Sequence, residues 1–176
     1  MKAISISTLF IVGQLALLSS AHAESSALWG RVGMSGSIVD SACAIDTGSY
    51  EQAVDMGVLP VGTIRQKGHG PVRPFSITLI DCRLTPYDGA DWQSFSVTFD
   101  GPATGDWFTV SGDARGVALS LLDANGQPIY PGLPTPKQAI VPGNAVLHYG
   151  LRLVSDARPL RPGEYQSALR FKLDYD

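Results

Sequence analysis

Tyr165-Gln-Ser-Ala-Leu-Arg-Phe-Lys-Leu-Asp-Tyr-Asp176 is the stretch whose reading decides the fold. Tyr165, Leu169, Phe171, Leu173 and Tyr175 fall on one side of an extended chain, and Gln166, Arg170, Lys172, Asp174 and Asp176 on the other. Period-2 alternation of this kind marks a strand with one dry face and one wet face. A second alternating row, Leu28, Gly30, Val32 and Met34, lies towards the opposite end, with no obvious strand beside it in sequence. One terminal segment is therefore expected to be a strand meant for another chain.

Between these two rows the same period recurs in short pieces. Phe75-Ile77-Leu79, Phe95-Val97-Phe99 and Leu147-Tyr149-Leu151-Leu153 each alternate with polar or small residues and have strand length. Residues 117–122 are more uniformly apolar, with Ser120 the single polar side chain, which suits the middle of a sheet, and Asp123-Ala124-Asn125-Gly126 then reads as a hairpin because Asn-Gly accepts positive φ at little cost. Ile129 and Tyr130 begin the return, and the proline-rich residues 131–136 must be loop, since proline cannot donate to a ladder. Nineteen glycines and twelve prolines, with no convincing 3.6-residue apolar stripe, argue against long helices. An antiparallel β-sandwich in one domain follows.

Residues 1–23 carry Lys2, an apolar run from Ile4 to Leu18 and a small-x-small site at Ala21-His22-Ala23, the pattern of a secretory signal with cleavage before Glu24. The apolar run is shorter than the roughly 20 residues a spanning helix needs, which sets an uncleaved anchor behind a cleaved signal. A net charge of −3 with no Lys/Arg run excludes a nucleic-acid footprint. Cys43 and Cys82 both lie in the exported part, where an oxidising compartment makes one disulfide the default over two buried thiols. On the chain-entropy account such a bridge contributes about 4 kcal/mol.

Catalytic and metal-binding patterns are missing. After the signal only His69 and His148 remain, one in a Gly-rich loop and one on the polar face of a strand, too few to converge on a metal with the cysteines paired. Gly33-Met34-Ser35-Gly36 lacks the strand-turn-helix setting of a nucleophile elbow, and Asp100, Asp106 and Asp113 sit among glycines and a proline as solvated loop-tip residues. No phosphate loop or dinucleotide fingerprint is present, so neither enzyme, cofactor nor small-molecule substrate is expected. Trp29, Trp92 and Trp107 keep a carbohydrate-binding module as the alternative class, because indoles offer stacking faces.

The N-terminal row has chemistry of its own. Leu28, Val32 and Met34 share a face with Gly30, so the segment can lie in an apolar groove that is too shallow for a Cβ at the glycine. Pairing of this segment within its own sandwich is the competing expectation. With this row stand a long tail before the first cysteine, Gly36-Ser-Ile-Val-Asp-Ser-Ala-Cys43, Met56-Gly57-Val58-Leu59, Phe75-Ser-Ile-Thr-Leu-Ile-Asp-Cys82 and a C-terminal strand with tyrosine second from its end. In this ordered set the chain resembles the pilin subunits of chaperone-usher fimbriae.

That resemblance implies an incomplete immunoglobulin-like sandwich, all-β and antiparallel, that has residues 36–43 as its first strand and lacks its last. It implies a signal over residues 1–23, a donor-strand extension over 24–35 and a pilin domain over 36–176. A periplasmic pilus chaperone would fill the open groove first, and at an outer-membrane usher a neighbouring pilin subunit would replace it by strand addition. By position, Leu28, Gly30, Val32 and Met34 are the donor residues. Leu169, Phe171, Leu173 and Tyr175 line the acceptor groove, and Asp176 presents its carboxylate to the chaperone. Cell-surface fimbriae are the implied destination. Within the family, Val97-Thr-Phe-Asp-Gly101, the run from Val117 to Asp123 and the ending Leu173-Asp-Tyr-Asp176 look most like the minor subunit that anchors or terminates the P pilus. The tail here has shaft length instead of a longer extension, which keeps a minor or major shaft subunit as the alternative.

Overall fold

The computed structural model describes residues 30–176. By chain compactness residues 30–37 belong to one unit and Ile38–Asp176 to another, and only the second carries regular structure. No helix among the described residues is long and apolar enough to cross a membrane.

The larger unit begins with β1 (Ala44–Ile45), the single turn α1 (Thr47–Tyr50) and α2 (Val61–Lys67), the last ending where the Gly68 N–H donates to Ile64 O at 2.8 Å. The main sheet is built on β2 (Arg73–Cys82). Next come β3 (Ser94–Asp100), β4 (Ala103–Thr104), β5 (Trp107–Phe108), β6 (Ser111–Gly112), β7 (Val117–Leu122), β8 (Pro128–Ile129) and β9 (Gln138–Ala139). The chain closes with the long β10 (Gly143–Ser155), then β11 (Tyr165–Gln166) and β12 (Arg170–Tyr175).

Every strand pairing is antiparallel. One sheet runs β1-β2-β10-β7-β5-β4 with β8 beside β7, and a second runs β12-β3-β9. The alternating rows read from sequence face each other across the interior: Ile77 and Leu79 of β2, Val97 and Phe99 of β3, Leu121 of β7 and Leu151 of β10 are all buried in one cluster. Phe99 stands edge-on to Tyr149 at 4.9 Å and to Phe75 at 6.5 Å, tying the two sheets together. The largely apolar β7 is central, as its composition predicts, with β10 on one side and β5 and β8 on the other. At the predicted hairpin, Asp123 Oδ1 accepts from the N–H groups of Asn125 at 2.8 Å and Gln127 at 2.7 Å.

Two expectations differ in detail. The C-terminal strand is broken: β11 pairs with β6 whereas β12 pairs with β3, and at the switch Ser167 Oγ donates to Thr109 O at 2.9 Å. Residues 36–43 form no ladder, and pairing starts only at Ala44, opposite Ile80.

The loop between β10 and β11 lies tightly over the chain before β7. Gly116 makes this possible, because at φ +79° an added Cβ would meet Pro159 O at 2.7 Å and Arg158 O at 2.8 Å. Gly116→Ala is therefore expected to cost about 2 kcal/mol, combining left-handed strain with displacement of the 158–160 backbone, and a urea midpoint unchanged from the parent would contradict this.

Candidate functional site: the groove beside β12

β12 has β3 on one edge and no strand on the other among the described residues. Its backbone groups on that side are a template for a further strand. The side chains follow the predicted alternation: Leu169, Phe171, Leu173 and Tyr175 are half-buried against the core, and Arg170, Lys172, Asp174 and Asp176 are exposed. A finished sandwich would bury the first row more deeply. Here Leu169 and Phe171 border a groove of about 1080 Å³ that is also lined by the segment 49–59 and by Phe75, Phe99, Leu119 and Leu151.

The groove has two unlike ends. At one end Tyr175 reaches across, its hydroxyl donating to Cys43 O at 3.4 Å, with Trp92 at 6.1 Å and Phe95 at 6.3 Å beside its ring. Burial pushes the Tyr175 hydroxyl above its ordinary range, which keeps it a neutral donor. Neither Leu173 nor Tyr175 borders the open volume. The other end, around Tyr165, Leu169 and Met56, is open. Arg73 Nε donates there to Met56 O at 3.3 Å, holding the segment 49–59 to β2. The Tyr165 hydroxyl is buried without a hydrogen-bond partner and is pushed up chiefly by that burial.

Asp156 takes the Arg158 backbone N–H at 2.9 Å and its Nε at 2.8 Å, so its carboxyl is held below the usual range, chiefly by the side-chain hydrogen bond from Arg158. A depressed carboxylate contributes stability above its unfolded pKa and loses it as pH falls through the folded value. The pair is largely exposed on the arginine side, so Asp156→Asn is expected to change stability at neutral pH by less than about 1 kcal/mol, with the difference from the parent vanishing in acid titrations. Deeper in, burial pushes Tyr149 up to about 12, so this core hydroxyl stays protonated. Among the described residues no cluster of three or more His, Cys, Asp and Glu is placed to hold a metal.

Cys43 and Cys82 are joined, both buried, at the closed end. Next to the bridge the Arg83 N–H donates to Ala42 O at 2.8 Å, and Asp40 takes Arg83 Nη2 at 2.7 Å and the Tyr87 N–H at 2.6 Å. Of the four residues read as a donor row, Val32 and Met34 are exposed, nothing stands within 4 Å of a Cβ built on Gly30, and Leu28 lies outside the described residues, as does the signal segment 1–23. The Asp176 N–H donates to Ser94 O at 2.9 Å, its backbone oxygen accepts from Gln93 at 2.7 Å, and its side chain is 3.1 Å from Lys137 Nζ.

The fimbrial protein family matches residues 32–176. This chain belongs to the fimbrial pilins. The PRS fimbrial minor pilin protein of Escherichia coli is 33% identical over 151 residues, covering 84% of this chain and 77% of that one. Fimbria A protein of Serratia marcescens is 30% identical, covering 83% and 84%. Among solved structures the P pilus rod subunit PapA superimposes with a TM-score of 0.69 at 22% identity, over 77% of this pilin and all of that chain, a likeness of fold. The pilin is a structural, non-enzymatic subunit of a chaperone-usher pilus and a component of surface fimbriae.

The lining segment 49–59 and the Asp40 clasp were not read as functional from sequence. Met56-Gly57-Val58-Leu59 stood only as a family sign, and Asp40 had no periodicity to set it apart.

Proposed function

We propose that this pilin is a strand-exchanging subunit: residues 24–35 lie in the groove of one neighbour, and the groove between β12 and residues 49–59 is a strand-binding groove, filled by a chaperone strand before assembly. The observation that carries it is the edge of β12, which no strand among the described residues pairs, beside an open apolar groove. Ladder hydrogen bonds to that edge supply affinity, and alternate side chains entering the groove set the register. Residues 1–23 direct export to the periplasm. A chaperone there covers the groove and takes the Asp176 carboxylate, and an outer-membrane usher presents the complex to the growing fibre. Residues 36–176 form the pilin domain.

Within that scheme the chain is a minor subunit that anchors or terminates the fibre at its base. Support comes from the resemblance of its β3, β7 and C-terminal segments to such a subunit and from the description of the 33% identical relative as a minor pilin. A second reading, a minor subunit through which the fibre continues, is favoured by the open end around Leu169 and Met56, since a terminator must refuse the next strand.

Strand exchange tests both levels. The chaperone-bound subunit is offered a fluorescent donor peptide from a shaft pilin: uptake identifies a continuing subunit, and refusal together with normal incorporation into fibres identifies a terminator. Gly30→Arg is expected to reduce incorporation roughly tenfold or more while leaving chaperone binding intact, because the new side chain overpacks the shallow part of the neighbour's groove. Incorporation at the parental level would rule out residues 24–35 as the donor.

A further inference from the structure

We propose that successive subunits also touch outside the groove, with Ile38 and Val39 of the subunit that gives the strand lying on Val58 of the subunit that receives it. The proposal rests on the strand-exchange reading with a groove that accepts the next strand, and adds a contact between the two bodies. All three residues are large, apolar and strongly exposed: Ile38 and Val58 fully and Val39 at 76%. Val58 borders the groove volume two residues beyond Met56, which Arg73 holds, so it stands at the rim of the opening.

Position ties the two pairs together. The segment before Asp40 is anchored beside the Cys43–Cys82 bridge, because the Asp40 carboxylate is clasped by Arg83 and by the Tyr87 N–H. That is the end of the sandwich at which Tyr175 closes the groove. The opening lies at the other end of β2, where Arg73 holds Met56, and ten strand residues put the two ends about 30 Å apart. The donor strand thus leaves from one end and the acceptor groove opens at the other, a heterologous arrangement that propagates as a filament.

Reach decides the rest. A strand attached to a folded body enters a half-closed groove with its free end leading, so the donor's body stays at the opening. From Met34, the last residue of the donor row, six residues lead to the clasped Asp40, an extended span of at most about 20 Å. Ile38 and Val39 lie within that short link, after the inserted row and before the clasp. The short link keeps them close to the rim, and Val58 is the exposed apolar side chain there. The occupant is the body of the neighbouring pilin.

The test uses chaperone-bound subunits with the Cys43–Cys82 bridge oxidised, a second copy of the chain serving as donor. A donor carrying Val39→Cys and an acceptor carrying Val58→Cys are treated with a short bis-maleimide while chaperone release reports insertion. A covalent pair that forms only after insertion is expected. A donor carrying Ile38→Asp with Val39→Asp is expected to dissociate at least tenfold faster than its parent, whereas a free peptide of residues 24–35 leaves wild-type and Val58→Asp acceptors at the same rate. Insertion without cross-linking, or with an unchanged dissociation rate for the Asp variant, overturns the contact and leaves strand exchange standing. Failure of both peptide and subunit to insert overturns the contact; with normal incorporation into fibres it identifies the terminator, and without incorporation it overturns strand exchange as well.

Discussion

Replacing Cys43 and Cys82 together by alanine will lower stability by about 4 kcal/mol, the chain-entropy value for a bridge closing a loop of this length. The two residues are 39 apart in sequence, and both sulfurs lie within the core cluster, so the bridge restrains a long unfolded loop without a surface site to absorb its loss. Alanine is the better substitute than serine. A serine hydroxyl at either position would add the cost of an unsatisfied buried polar group, about 1–3 kcal/mol, to the effect under test. The bridge also holds Cys43, whose carbonyl receives the Tyr175 hydroxyl, so its loss is expected to loosen the closed end of the groove. Urea unfolding followed by near-UV circular dichroism measures both: the midpoint falls, and the aromatic signal of Trp92 and Tyr175 weakens below the transition. A midpoint within error of the parent would show that the cross-link contributes nothing net to the fold.

Most of the sandwich was legible because its strands are half-buried and alternate. Phe75, Ile77 and Leu79, then Phe95, Val97 and Phe99, needed only a period of 2 to be placed facing inward, and they do face inward. The inner row of β12 was legible for the same reason, and its half-exposure is what an unfinished sheet does to an otherwise regular pattern. Local pattern failed where geometry depends on distant partners. The break between Gln166 and Arg170 arises because β11 and β12 pair with different strands, information held in β6 and β3 and not in the segment itself. Likewise residues 49–59 form a groove wall without any ladder, fixed by contacts such as Arg73 to Met56, and a strand-period search passes over them. Asp40 reads as one more polar residue until Arg83 and Tyr87 converge on it.

Adding a peptide of residues 24–35 at a thousandfold excess over its dissociation constant will stabilise the chaperone-free acceptor by about 4 kcal/mol, since a ligand that binds only the folded form contributes RT ln(1 + [L]/Kd). For a domain of this size that corresponds to a rise in Tm of roughly 10 °C. The source of the gain is visible at the start of β12: Leu169 and Phe171 border the groove and are left half-covered, and completing the burial of two such side chains contributes about 1 kcal/mol apiece before any ladder bond is counted. Alternation supplies the control. Substituting aspartate for Leu28 or Val32, whose side chains must enter the groove, is expected to abolish the shift, while Arg31→Asp, on the face turned to solvent, leaves most of it. A melting temperature that ignores the peptide would mark the terminator form of this pilin, and one that responds equally to inward and outward substitutions would mean that the edge of β12 is not where the missing strand belongs.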